Sequence, residues 1–298
     1  MTGSRRITRM LVPMLGMLIT VSVGAQTAQQ DTKPANAAAS AEKTPAPAFE
    51  MVLEPKAMDL LKAASARLAA AKSMSFTATV SYEHPGKLGP PIVYTSRYDV
   101  TMQRPDKLKV MMPGDGPASE FYYDGKSMMA FAPAENLVAV ADAPATIDAM
   151  LKTAYENAAI YYPFTDLIVT DPYAALTDGA TLAFYIGPSG NVGGAKTDMV
   201  AWANDDVFIQ IWIGADDKLP RRMRAVYSAD PLLLRHELDL SNWQLDAPIA
   251  ADAFASQKAR AAKTIAFEHP VAAPPPGVKP LPVTKPSKAA SSKSETKS

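Results

Sequence analysis

The sequence predicts a mainly β (α+β) fold: a strongly curved antiparallel sheet or half-barrel of about ten strands, with helices covering its concave face. Three observations lead there. Apolar and polar residues alternate through most of the stretch between residues 74 and 243. Clusters of Gly, Pro, Asp and Asn separate the alternating runs. Helical spacing is confined to a few short segments. Alternation at period two gives each strand one apolar and one polar face, the pattern of antiparallel sheets with one face in water.

The folded region, residues 50–269, opens with a helix. Met58, Leu61, Ala64, Leu68 and Ala71 recur at steps of three or four and so share one side. Pro55 suits its first turn, where the missing N–H has no helical partner to lose. The period then changes to two. Met74, Phe76, Ala78, Val80 and Tyr82 alternate with Ser75, Thr77, Thr79 and Ser81. The next run sets Ile92, Tyr94, Tyr98, Val100 and Met102 against Thr95, Arg97, Asp99, Thr101 and Gln103, with a Pro- and Gly-rich turn over 84–91 between the two.

Residues 107–112 read as a further strand, and 120–123 and 126–131 form a hairpin about Asp124-Gly125. A strand at 137–141 follows. Ile147, Met150, Leu151 and Ala154 then return to helical spacing, and 172–176 reads as a short helical turn. Strands resume at 181–186, 197–203, 207–213, 222–227 and 232–243. Val207, Ile209, Ile211 and Ile213 make one apolar row; Leu234, Leu238 and Leu240 make another. A sheet of this size with one apolar face has to curl and be covered, and the helices are the available cover.

The flanking segments differ in composition. Arg5, Arg6 and Arg9 precede an uncharged, mostly apolar run over 10–23, and Val23-Gly24-Ala25 offers the small residues of a cleavage site. Residues 1–25 are therefore expected to be a signal peptide cut after Ala25, the run being too short for a membrane span. Ser4-Arg5-Arg6 hints at twin-arginine export, although Ile7-Thr8-Arg9 continues that motif poorly. Residues 26–49, rich in Ala, Thr, Gln and Pro, read as a flexible linker. Residues 270–298, rich in Pro, Lys and Ser, read as a disordered tail. Its cations could meet anionic headgroups or cell-wall polymers, or serve only for solubility.

Composition excludes several functions. The formal net charge is zero, which is not the footprint of a nucleic-acid binder. With no cysteine there is no disulfide, no thiol chemistry and no lipid attachment at a cleavage-site Cys. A processed chain without lipid or a second apolar span is expected free in the periplasm.

One series of motifs resembles a known family. Ser65-Ala66-Arg67-Leu68 leads into Ser75-Phe76-Thr77-Ala78-Thr79-Val80, followed by Arg104-Pro105-Asp106-Lys107-Leu108 and Phe121-Tyr122-Tyr123-Asp124-Gly125-Lys126. Over roughly residues 57–141 this order resembles the outer-membrane lipoprotein carriers of the LolA/LolB-like fold. With Asp171-Pro172-Tyr173-Ala174-Ala175-Leu176, Gln210-Ile211-Trp212-Ile213 and Leu219-Pro220-Arg221-Arg222 included, nearly the whole folded region resembles a family of predicted periplasmic proteins, a domain of unknown function. The carrier resemblance implies a cavity lidded by helices that holds acyl chains. It also implies that Arg104 tethers the lid through backbone carbonyls, a task suited to the planar guanidinium fork. The bland alternative for Arg104 is a strand-end ion pair with Asp106 or Glu120. Members of the periplasmic family often carry Cys and His where this chain reads Thr197-Asp198-Met199, so chemistry depending on those groups is not expected here.

No catalytic, metal or cofactor site emerges. His84 and His269 fall in a turn and before the tail, and His236, between Leu234 and Leu238, reads as a hydrogen-bonded core histidine. Asp205, Asp206, Asp216 and Asp217 read as turn residues. Gly187-Pro188-Ser189-Gly190 is not a nucleophile elbow. The apolar faces are more informative. Met74, Phe76, Tyr94, Tyr98, Met102 and Met112 would line the inner surface, and 15 methionines suit an adaptable apolar site. A cavity and a packed core draw on the same residue types. The expected function is a non-enzymatic periplasmic carrier or binding protein for a lipid, acyl chain or lipoprotein. The alternative is an envelope sensor or protein-interaction module on the same fold.

Overall fold

The computed structural model describes residues 52–269 other than 88, 115 and 251. The expected signal peptide, linker and tail lie outside the described residues.

Twelve strands form one open, curved sheet. In chain order they are β1 (Ser73–His84), β2 (Ile92–Gln103), β3 (Lys107–Met112), β4 (Ser119–Tyr123), β5 (Ser127–Ala132), β6 (Leu137–Asp142), β7 (Leu182–Ser189), β8 (Thr197–Ala203), β9 (Val207–Gly214), β10 (Pro220–Tyr227), β11 (Arg235–Leu245) and β12 (Lys263–Ile265). The order across the sheet is β12-β6-β5-β4-β3-β2-β1-β11-β10-β9-β8-β7. Two meanders are thus joined where the first and eleventh strands meet, with Val80 opposite Leu238 and Ala78 opposite Leu240. All strand pairs are antiparallel except β12 with β6.

The expected curved antiparallel sheet is present, with twelve strands where about ten were expected. The addition most remote from the sequence pattern is β12, three residues long and too short to show a period.

The alternation selects the faces. Phe76, Ala78, Val100, Met102, Leu108, Val110, Phe121, Tyr123 and Met128 all enter one buried cluster on the inner face. The outer face of the central strands is polar. There Thr77 donates to Asp99 at 2.8 Å and Arg222 binds Asp239 in a fork at 2.6 and 2.9 Å. Near the end of β11, Asn242 takes φ 56° and the register to β1 shifts, so Leu245 pairs Met74 and Trp243 stacks on Phe76 at 4.4 Å. The irregularity turns a strand end inward and adds an indole to the core.

Five helices complete the fold: α1 (Pro55–Ala70), α2 (Ile147–Ala158), α3 (Thr165–Ile168), α4 (Pro172–Thr177) and α5 (Gln257–Ala261). Pro55 occupies the first turn of α1, as expected. Ala57, Leu61 and Ala64 of α1 pack with Val200, Trp202, Ile211 and Ile213, covering the inner face of the second meander. Ile147, Met150, Leu151 and Ala154 of α2, with Leu167 and Ile168 of α3, cover the first meander and the centre. One correction concerns α5. Its Ala259 packs with Tyr122, Met129, Phe131 and Val138, the outward residues of β4 to β6, so helical cover is not confined to the concave face.

Candidate functional site: a lidded groove

Residues 144–177 lie over the inner face as a lid. Thr146 caps α2 by accepting from the Ala149 N–H at 3.3 Å, and Asp171 caps α4 by accepting from the Ala174 N–H at 2.9 Å. The lid is tethered at its start and just after α3. At its start the Tyr123 hydroxyl donates to the Pro144 carbonyl at 2.5 Å. Burial pushes that hydroxyl up to about 12, so it remains a donor. At the end of α3, Arg104 donates from Nη2 to the Val169 carbonyl at 2.9 Å. Beside it, the Asp148 carboxylate accepts from the Thr170 N–H at 3.1 Å. Burial lowers the Arg104 pKa, and nearby Asp148 opposes that shift. Neither strand-end ion pair considered for Arg104 is present: Asp106 faces Lys107 at 3.8 Å, and Glu120 accepts from the Tyr122 hydroxyl at 2.6 Å.

Between the tethers, an aromatic plug descends onto the sheet. Phe164 is fully buried, edge-on to Phe76 at 5.5 Å and to Tyr98 at 5.7 Å, and stacked on Tyr162 at 5.4 Å. Tyr162 also meets Phe121 at 5.9 Å. Such pairs contribute roughly 0.5–1.5 kcal/mol each beyond their area.

On either side of this plug the groove stays open. One cavity, about 430 Å³, lies over β3 to β6 and is walled by Met112, Phe121, Ala130, Leu137, Ala139 and Ile160. The other, about 390 Å³, lies over β1, β2 and β9 to β11, with Tyr82, Tyr227 and His236 on the sheet side and Asp166 on the lid side. Tyr98 and Tyr161 line both cavities. Each volume falls within the roughly 300–1,000 Å³ usual for small-molecule sites.

The six candidate lining residues divide accordingly. Tyr98 and Met112 line cavities. Met74, Phe76 and Met102 are buried in the packed interior and line neither. Tyr94 is half exposed near the strand end, stacked on Tyr82 at 5.7 Å. His236 departs from expectation: it lies on the inner face as anticipated, but exposed at the groove mouth between Tyr82 and Tyr227. Its apolar neighbours in the row suggested burial, whereas the sheet opens at that end. Tyr161, Phe164, Asp166 and Tyr227 were not anticipated. The lid segment carrying the first three has no clear period, and only its aromatic density could have drawn attention to it.

Among the described residues, no group of three His, Cys, Asp or Glu side chains could hold a metal ion. Among them too, no helix is long and apolar enough to cross a membrane. The stretch Thr197-Asp198-Met199 serves structural contacts: Thr197 donates to the Ser189 carbonyl at 3.1 Å and Asp198 accepts from the Tyr185 hydroxyl at 3.0 Å.

Residues 57–268 match the family described as "Predicted periplasmic protein (DUF2092)". The chain belongs to that family. Its match spans the sheet, the lid and both tethers of this DUF2092 domain. No curated protein matches the chain. Among solved structures, lipoprotein LppX of Mycobacterium tuberculosis is similar at 12% identity and a TM-score of 0.43, covering 67% of this chain and 100% of that one. LprF from Mycobacterium bovis is similar at 19% identity and a TM-score of 0.41, over 66% and 96% of the two chains. A LolA superfamily protein from Nitrosomonas europaea is similar at 11% identity and a TM-score of 0.31, over 67% and 97%.

Proposed function

We propose that this DUF2092 protein is a non-enzymatic periplasmic binding or carrier protein for an amphiphile bearing an acyl chain. The signal peptide ending at Ala25 would deliver it there. The observation that carries the reading is the pair of cavities meeting at Tyr98 and Tyr161 beneath a lid tethered through Arg104 to Val169. The first cavity is walled largely by alanine, leucine, isoleucine and aromatic carbon, which suits a methylene chain. Burial of such a chain contributes roughly 0.8 kcal/mol per methylene, so a partly inserted chain already binds. Arg104 would act as the latch that keeps the lid closed over it.

Native mass spectrometry of the protein purified from the periplasm, with lipid extraction in parallel, tests this. A co-purified acyl species that is lost in Arg104→Leu supports the carrier and the latch. A clean apo mass from protein that also takes up no added fatty amphiphile rejects the carrier.

A second reading, a protein-interaction module, draws on one observation. Ile92, Val93, Tyr94, Leu232 and Leu233 are exposed at the end of the sheet where His236 lies. Crosslinking in cells from Val93 that captures a discrete envelope protein would favour it.

A further inference from the structure

The two cavities differ in chemistry. The one over β3 to β6 contains a single acidic residue, Glu120, whose carboxylate is occupied by Tyr122 at 2.6 Å. The one over β1 and β11 is ringed by Tyr82, Tyr98, Tyr161, Tyr227 and His236. The His236 ring lies 6.4 Å from Tyr82, nearly parallel to it, and 5.2 Å from Tyr227, perpendicular to it, so the three rings turn a corner in the wall. Asp166 closes the cavity from the lid. Glu237, also at this wall, is engaged with Arg222 at 3.4 Å. Asp166 makes no ion pair among the described residues, and no lysine or arginine lines the cavity. Burial holds its carboxyl above the ordinary value, and its charge adds to burial in pushing the Tyr227 hydroxyl up. The space is therefore aromatic, carries an exposed carboxylate and has no lysine or arginine in its wall. Ring faces and a carboxylate attract the same class of group, an ammonium, and most readily a quaternary one that cannot hydrogen-bond to water.

We propose that the cavity formed by Tyr82, Tyr98, Tyr161, Tyr227, His236 and Asp166 binds an ammonium head group. The ligand is then an amphiphile with a cationic amine at one end, its chain passing Tyr98 and Tyr161 into the apolar cavity. This deepens the carrier reading, and its head-group half can be tested apart from that reading.

The test uses the purified protein at pH 8 and low salt. Choline is compared with 3,3-dimethylbutan-1-ol, its uncharged isostere, by ligand-observed NMR titration. Choline is expected to bind about ten-fold tighter, the scale of a cation against aromatic faces in a partly desolvated site. Asp166→Asn and Tyr227→Leu should each erase the preference, while Tyr227→Phe, which keeps the ring, should retain it. Circular dichroism of each variant establishes that it is folded. Equal binding of the two isosteres, or a preference that survives Asp166→Asn, overturns the proposal. Dodecyltrimethylammonium in a parallel titration reads the chain. If it gains nothing over choline while choline still beats its isostere, the ammonium site stands and the acyl reading fails. If the dodecyl compound outbinds choline but binds no better than its neutral dodecyl ether counterpart, and choline no better than its isostere, the ammonium site fails while the acyl reading survives.

Discussion

The rings of Phe164 and Phe76 meet edge-on, 5.5 Å apart, at the place where the lid touches the floor of the groove. This contact packs the lid onto the sheet, and neither ring lines either cavity. Phe164 is fully buried, so truncation removes its packing and leaves a void. Phe164→Ala is expected to destabilise the protein by about 3–5 kcal/mol, within the range for large aromatic truncations in cores. Denaturant unfolding measures that loss.

The tether at the other end of α3 makes a separate prediction. Arg104→Leu leaves the Val169 carbonyl without its donor and removes a hydrogen bond from a charged group, costing about 1.5–3 kcal/mol. Hydrogen exchange should quicken over 164–170 while the strands β1 and β2 keep their protection. Arg104→Lys should recover part of the effect, since an ammonium can donate to the one carbonyl that Arg104 contacts. Uniform loss of protection across the sheet would show Arg104 to be a general core support rather than a lid tether.

Asp166 links the groove to pH. Its folded-state pKa is raised by burial, so the folded protein holds this proton more tightly than the unfolded chain does. The stabilisation from protonation is present at low pH and is lost as pH rises through the folded value. At pH 7 the ionised carboxylate therefore costs stability. The side chain is solvent-exposed, which screens most of that cost. Asp166→Asn is therefore expected to raise Tm only slightly at pH 7 and to make no difference near pH 3. A lower Tm at pH 7 would mean that the charge has a stabilising partner.

Gly125 in the hairpin between β4 and β5 has φ 91°, and an added Cβ would fall 2.5 Å from an Asp106 carboxylate oxygen. Asp124 fixes the same turn, accepting from the N–H groups of Lys126 and Ser127 at 3.0 and 2.8 Å. Gly125→Ala combines strained backbone with a close contact, and a loss of about 1–3 kcal/mol is expected in urea melts. An unchanged midpoint would mean that the turn relaxes to another geometry.

How much of this was legible in the sequence varied with length and with partner distance. The first two strands were plain because each runs for 12 residues of near-unbroken alternation. The Asp124-Gly125 hairpin was plain because its chemistry is local. The small α5 and β12 were not, being 5 and 3 residues long. Arg104 could be singled out by its motif, but its acceptor, Val169, lies 65 residues away in a segment without a period. The second cavity draws Tyr98, Asp166 and the neighbouring-strand pair Tyr227 and His236 from three regions distant in sequence. Only the sheet order, which sets β11 beside β1, brings them together. Met74, Phe76 and Met102 were rightly placed on the inner face, yet periodicity carries no sign of whether a lid residue will fill the space above them.

A sheet that does not close into a barrel has two free margins, and a long exposed margin invites another chain to add a strand. Here each margin ends in a short parallel piece. At one side Val52-Leu53-Glu54 runs beside β7: the Ala183 N–H donates to Val52, the Glu54 N–H donates to Ala183, and the Glu54 carboxylate takes the Tyr185 N–H at 2.7 Å. At the other, β12 runs beside β6 for three residues before the chain turns to pack Phe267 into the core. Capped in this way, the half-barrel keeps its groove open without offering its flanks as a template for polymerisation.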